Sequence, residues 1–188
     1  ITNGDKGSND PDMTPQKLTQ IRRQEQREAG HVLGVQEIVF LGYSDGELFP
    51  DLELRRKLVE QIRRYKPDVI ITNDPTRRAN LSHPDHLAAG EATLGAVYPA
   101  AGNPMYFPEL RARGLEPHTP KEIYLVGHPE PDVIVDIGPV VERKAAALKK
   151  HASQVDPKRI DERFSRNGKE GEGPREFTEK FRRIQLWR

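Results

Sequence analysis

Val69-Ile70-Ile71-Thr72-Asn73-Asp74-Pro75, followed after seven residues by His83-Pro84-Asp85-His86, decides the fold. Val69-Ile70-Ile71 is a short β-branched run that suits a strand buried on both sides. Asn73-Asp74-Pro75 ends it with turn chemistry. Pro84 suits the first position of a helix, which puts His83 at the cap and His86 in the first turn. That helix is expected to run to Val97, with Leu87, Leu94 and Val97 facing the core, and Pro99 cannot continue it.

The same alternation extends in both directions. Thr14-Pro15 is a capped helix start, and Leu18, Ile21, Ala29 and Leu33 give an apolar face that Gly34 closes. Ile38 to Leu41, ending at Gly42, reads as another buried strand. Leu52 to Tyr65 reads as a helix with Leu54, Leu58, Val59 and Ile62 facing inward. Glu122–Val126 and Val133–Ile137 read as later strands, Val140–His151 as a helix and Arg175–Trp187 as a last helix. Pro99 to Pro120 shows no clear period and is expected to form an insertion over the site. Asp156 to Pro174 is expected to be a mobile loop. Strands alternating with helices predict an α/β fold: a Rossmann-like, mostly parallel sheet with helices on both faces, Ile38–Leu41 and Val69–Ile71 being central neighbours.

Composition bounds the function. The chain has 188 residues, of which 44 are Ile, Leu, Val or Phe, and a net charge of +1. A chain of that size and balance builds one domain with a real core and is not globally disordered. No basic block points to nucleic acid, and no apolar run approaches the ~18 residues of a membrane span. The absence of cysteine excludes a disulfide scaffold and a thiolate nucleophile. Together with the lack of a signal peptide it leads to an expected cytoplasmic location.

In open parallel sheets ligands sit at the carboxyl ends of the strands. Three polar loops are placed there: Thr2-Asn3-Gly4-Asp5-Lys6-Gly7, Gly42-Tyr43-Ser44-Asp45-Gly46-Glu47, and Thr72-Asn73-Asp74-Pro75 running on to His83-Pro84-Asp85-His86. His83 and His86, three apart, share one side of a helical turn, and Asp85 adds a carboxylate. Such a set can ligate zinc, orient a ligand or move protons. The plainer alternative makes His83 an N-cap and His86 a surface residue.

Several stretches together resemble the PIG-L/LmbE family of zinc-dependent N-acetylglucosaminyl de-N-acetylases. They are Thr2 to Gly7; Arg22-Arg23-Gln24-Glu25 with Ala29 and Leu33-Gly34-Val35; Phe40 to Gly46, which matches F-L-G-x-x-D-G; His83 to His86, which matches H-x-D-H; and Lys144 to Leu148 with His151, Ser153 and Gln154. The resemblance implies a hydrolase that removes the acetyl group from an N-acetylglucosamine-type substrate with zinc as cofactor. It makes His86 a zinc ligand, His83 the imidazole that polarises the carbonyl or protonates the leaving amine, and Asp85 the carboxylate that orients the pair. Arg22 and Asp45 match positions that contact the sugar. Asp74, just past a strand end, is placed to buttress a histidine or reach substrate. The ordinary alternatives are an Arg22–Glu25 pair on the helix surface and a turn role for Asp45. His31, His118 and His151 are assigned to surface or packing, and so are Tyr98, Tyr106 and Phe107, which can also wall a pocket.

The family's opening A-H-P-D-D motif, with two zinc ligands and the general base, does not occur in residues 1–188, and His128-Pro129-Glu130-Pro131-Asp132 is only an echo of it. With Ile1 as first residue, this leads to the expectation of a single de-N-acetylase-like domain lacking its first strand–helix unit of roughly 30–40 residues. Residues 1–188 alone are then expected to bind zinc poorly. A zinc amidase acting on a non-sugar acetamide and a non-catalytic sugar-binding remnant are the alternatives. The expected partner is a small aminosugar, not nucleic acid or membrane, and a homo-oligomer is left open because the family includes oligomers.

Overall fold

The first helix starts where its cap lies in the sequence: the Thr14 side chain accepts the Lys17 N–H, and Pro15 takes the first helical position. The computed structural model describes residues 1–76, 82–165 and 176–186. In chain order the elements are α1 (Pro15–Leu33), α2 (Leu52–Tyr65), β1 (Val69–Asn73), α3 (Pro84–Gly95), α4 (Pro108–Ala112), β2 (Glu122–Val126), β3 (Val133–Asp136), α5 (Val141–Lys149), α6 (Pro157–Phe164) and β4 (Thr178–Gln185). The strands form one sheet in the order β1-β2-β4-β3. Among the described residues no helix is long and apolar enough to cross a membrane.

The chain divides into two compact units. The first holds Ile1–Asp45 and Val135–Glu179, the second Gly46–Ile134 and Lys180–Arg188. In the first, α1 buries Leu18, Glu25, Ala29 and Gly30, and Gly34 ends it at φ 78°, a left-handed conformation that glycine takes without strain. Glu25 joins α1 to the turn after α5 by accepting both the backbone N–H and the hydroxyl of Ser153. It therefore does not pair with Arg22. Lys144 bonds Glu179, and Lys149 bonds Asp161.

In the second unit the core gathers Val59 and Ile62 of α2, Ala96, Val97, Ala100 and Ala101 after α3, Leu110 of α4, and Ile123 and Leu125 of β2. β1 and β2 are parallel, with Ile70 opposite Ile123 and Thr72 opposite Leu125. α3 and α4 lie in the connection between them, as a parallel pair requires. Arg63 of α2 is 1% exposed and donates to the carbonyls of Ala100, Ala101, Asn103, Tyr106 and Phe107. Burial lowers its pKa, while Glu109 and Glu116 act in the opposite direction.

Five expectations need correction. Ile38–Leu41 forms no strand; among the described residues its vicinity holds an isolated parallel bridge from Thr2 to Tyr43 and no ladder. β1 is not buried on both sides: Ile70 packs on the core, while Val69 and Ile71, pointing the other way, are 45% and 63% exposed. The expected last helix is β4, which pairs antiparallel with β2, Ile184 lying opposite Ile123; Arg175 and Trp187 lie outside the described residues. The Pro99–Pro120 stretch is built into the core of the second unit, with Leu110 fully buried, because Arg63 satisfies its carbonyls. Within Asp156–Pro174, Pro157–Phe164 is helical, capped by Asp156 through the Lys158 N–H, and 166–174 lies outside the described residues.

Candidate active site

His83 caps α3 with its ring. Nδ1 accepts the backbone N–H of Asp85 at 3.2 Å, so the neutral imidazole carries its proton on Nε2. Pro84 needs no partner for its nitrogen at the first helical position, and the His86 N–H returns to the His83 carbonyl at 3.0 Å. Both imidazoles are exposed, their ring centroids 5.5 Å apart with planes tilted by 42°. The spacing of three in the sequence thus brings two imidazoles side by side at a helix start.

Asp85 is buried at 4% exposure. Its Oδ2 accepts the Gly46 N–H at 2.8 Å, and its Oδ1 accepts the Leu48 N–H at 3.1 Å. These two bonds fix the carboxylate and tie the Gly46–Leu48 stretch to the start of α3. Oδ2 also lies 4.0 Å from His83 Nδ1, so the carboxylate sits beside the ring it was expected to orient.

Asp74 closes β1. Its N–H continues the ladder to the Val126 carbonyl at 3.1 Å, and its buried carboxylate accepts from the Thr76 N–H at 2.9 Å and the Thr76 hydroxyl at 2.8 Å. Its hydrogen-bond partner is therefore Thr76 and not a histidine. Sequence reasoning missed Gly90, which seats α3 on this strand end: a Cβ there would lie 2.3 Å from the Asn73 carbonyl oxygen and 3.1 Å from the Pro75 nitrogen. A glycine inside an otherwise continuous helical pattern was the available signal.

Arg22 and Asp45 belong to the first unit. Arg22 donates from Nη2 to the Gly7 carbonyl at 2.8 Å, its guanidinium laid so close over the turn that a Cβ on Gly4 or Gly7 would come within 2.4 Å of it. The Asp45 N–H donates to Asp5 Oδ1 at 2.7 Å, and the Ser44 hydroxyl reaches Asp5 Oδ2 at 3.4 Å. Asn3 Nδ2 donates to the Gly42 carbonyl at 3.2 Å, and Asn3 Oδ1 accepts from Arg23 at 3.0 Å. Asn3 and Asp5, placed by the sequence in a polar strand-end loop without an individual role, are side chains that hold the Gly42–Asp45 stretch. Outside these groups, His118 Nε2 contacts the Pro67 carbonyl at 2.8 Å and His128 Nδ1 accepts the Glu130 N–H at 3.0 Å.

An α/β chain with two imidazoles and a buried carboxylate at the start of a helix packed on a strand end has the layout of a strand-end ligand site. The chain belongs to the PIG-L family: residues 1–97 match its model, described as GlcNAc-PI de-N-acetylase. It is 32% identical over 154 residues to a diacetylchitobiose deacetylase of Thermococcus kodakarensis, the match covering 82% of this chain and 57% of that protein. It is 30% identical over 161 residues to a probable N-acetyl-alpha-D-glucosaminyl L-malate deacetylase of Bacillus anthracis, covering 82% and 66%. Among solved structures it resembles the N,N'-diacetylchitobiose deacetylase of Pyrococcus horikoshii in complex with the inhibitor MPG, with a TM-score of 0.84, 30% identity, and coverage of 98% of this chain and 70% of that one. The chain therefore spans 57% and 66% of the length of these two curated relatives.

Proposed function

We propose that this protein is a zinc-dependent hydrolase that removes the acetyl group from an N-acetylglucosamine-type substrate. The observation that carries the reading is the His83–His86 turn, with one ring fixed as an Nε2–H donor and a second, exposed imidazole beside it. Imidazole is a donor suited to zinc, and a hydrolytic zinc centre takes three protein ligands and keeps one position open. His86 fits as one of the three. Asp85, whose two oxygens each accept a backbone N–H, is assigned to positioning the turn and not to the metal. When bound, zinc supplies a Lewis acid that polarises the acetamide carbonyl and makes a water nucleophilic near neutral pH.

Residues of this chain act around that centre. His83 Nε2–H donates to the acetamide oxygen as negative charge builds on it, and the ring relays to the departing amine nitrogen the proton that the attacking water releases, ending with its own Nε2–H restored. Water adds to the carbonyl carbon, the C–N bond breaks, and acetate and a free amine leave. Asp85 is a positioning residue that steadies the His83 turn. Asp45 accepts from a sugar hydroxyl, and Arg22, which gives one nitrogen to Gly7, offers its remaining N–H groups to a sugar or phosphate oxygen. Asp74 acts through Thr76, holding the chain as it leaves β1.

The test is release of free amine from N-acetylglucosamine and N,N'-diacetylchitobiose by the zinc-loaded protein, with simple aryl acetamides alongside. Zinc-dependent turnover of the sugars supports the reading. Preference for the aryl acetamides points to an amidase of another class. Sugar binding without turnover points to a non-catalytic binder.

A further inference from the structure

We propose that Asp5 is a positioning residue for substrate recognition, its carboxylate setting the aim of Asp45 by holding the turn that carries it. This rests on the reading that Asp45 accepts from a sugar hydroxyl. The two oxygens of Asp5 take the two polar groups that precede the Asp45 side chain: the Asp45 N–H at 2.7 Å and the Ser44 hydroxyl at 3.4 Å. The first is a short, charge-assisted bond to a main-chain donor, the kind that fixes a turn rather than decorating it. With both groups on one carboxylate, the backbone from which the Asp45 side chain departs has little freedom left.

Asp5 can do this because its own turn is immobilised. Gly4 sits at φ 64°, a left-handed conformation, and the Gly7 N–H returns to the Gly4 carbonyl at 3.3 Å. The Arg22 guanidinium closes over Gly4 and Gly7 and bonds the Gly7 carbonyl at 2.8 Å. On the other side the Asn3 N–H donates to the Tyr43 carbonyl at 2.8 Å, and the Tyr43 N–H to the Ile1 carbonyl at 3.3 Å. The Asn3–Gly7 turn is thus a braced mount, and Asp5 is the arm that reaches from it to Ser44 and Asp45. In the same way Arg22 acts partly through this mount, because its bond to Gly7 holds the turn that holds Asp5.

The test compares Asp5→Ala, Asp5→Asn, Asp45→Ala and the Asp5→Ala/Asp45→Ala double variant in the zinc-loaded protein. It reads KM and kcat on the acetylated sugar, zinc content, and the Kd of N-acetylglucosamine by titration calorimetry. Asp5→Ala is expected to raise KM and Kd about fivefold to twentyfold, with zinc content unchanged and kcat within about threefold of the parent. Asp5→Asn is expected to recover most of the loss, because the amide oxygen still accepts the Asp45 N–H. The double variant is expected to be no weaker than Asp45→Ala alone, which independent roles would not produce. Losses that multiply in the double variant, loss of zinc in Asp5→Asn, or unchanged KM and Kd in Asp5→Ala overturn the positioning role while leaving the sugar reading of Asp45 intact. An Asp45→Ala variant with unchanged KM and Kd overturns both.

Discussion

Glu25 holds Ser153 with both of its oxygens: Oε1 accepts the Ser153 N–H at 2.6 Å, and Oε2 accepts the Ser153 hydroxyl at 2.7 Å. Glu25 is 8% exposed and sits mid-way along α1. A buried carboxylate at that position is tolerated because the chain beyond α5 supplies its two donors. Glu25→Ala is expected to lower the unfolding free energy by about 2 kcal/mol, the worth of hydrogen bonds to a charged group. Glu25→Gln should recover part of this, since only one amide oxygen remains to accept. Thermal and urea unfolding of the two variants check the order.

Removing the imidazole of His86 and removing that of His83 are expected to do different things. His86→Ala should lose bound zinc and activity together. His83→Ala should keep zinc near the parent level while kcat falls by about 10²- to 10⁴-fold, the range for a missing general acid. Metal analysis beside steady-state kinetics separates the two. If His83→Ala loses zinc and His86→Ala does not, the two roles are exchanged.

Gly90→Ala tests the seat of α3. The added methyl would stand 2.3 Å from the Asn73 carbonyl oxygen, a main-chain atom that cannot swing aside. Overpacking of this kind costs about 1–3 kcal/mol. The displacement falls on the helix that carries His83, Asp85 and His86, so stability and turnover should drop together. A Gly90→Ala protein with parental Tm and kcat would mean that the helix can shift without consequence.

Arg63→Lys tests whether shape or charge matters in the core of the second unit. Five carbonyls accept from the guanidinium, and an ammonium group offers three donors from one point. Carbonyls left without a donor in the interior cost about 1–3 kcal/mol each. A loss of about 3 kcal/mol or more is expected on denaturant unfolding, with Arg63→Met at least as damaging.

Acidity should act through Glu60. Burial raises its pKa, but Arg113 at 2.9 Å and Arg64 at 2.8 Å outweigh that and hold the carboxyl below the usual glutamate range. A group whose pKa is lower in the folded state stabilises above its unfolded value, about 4.3, and loses that contribution as pH falls through the folded value. The stability difference between the parent and Glu60→Gln should therefore be constant near neutral pH and shrink below about pH 4.3. Urea midpoints from pH 7 to pH 3 check the sign.

Elements with end signals were legible. Thr14-Pro15 and Gly34 frame α1, and Pro84 starts α3 where the structure starts it. β4 was misread because Phe177, Phe181 and Ile184 recur at a spacing of four and three, which fits a helix as well as a strand whose alternation breaks at Arg182-Arg183. Pairing with β2, a long-range relation, decided the matter. Ile38–Leu41 has strand composition, but composition cannot say whether a neighbour is there to pair with. In the site, the cap role of His83 and the side-by-side imidazoles followed from spacing. The partners of Asp85 and Arg63, and the Asp45 N–H that Asp5 accepts, did not, because main-chain donors and acceptors leave no trace in residue identity.

The Arg63 contacts govern how the Ala100–Phe107 stretch can change over time. Arg63 grips it by carbonyl oxygens alone, and every residue type carries one of those. The path of the stretch is thus written in α2 together with its buried Ala100 and Ala101, while an exposed side chain such as Met105 is released from the task of maintaining that path. Substitutions at exposed positions such as Met105 can alter what the stretch presents without altering its course, so it can diverge rapidly in a protein whose position 63 cannot. A library randomised at Met105 should yield mostly folded members in the Arg63 parent and mostly unfolded ones in Arg63→Met.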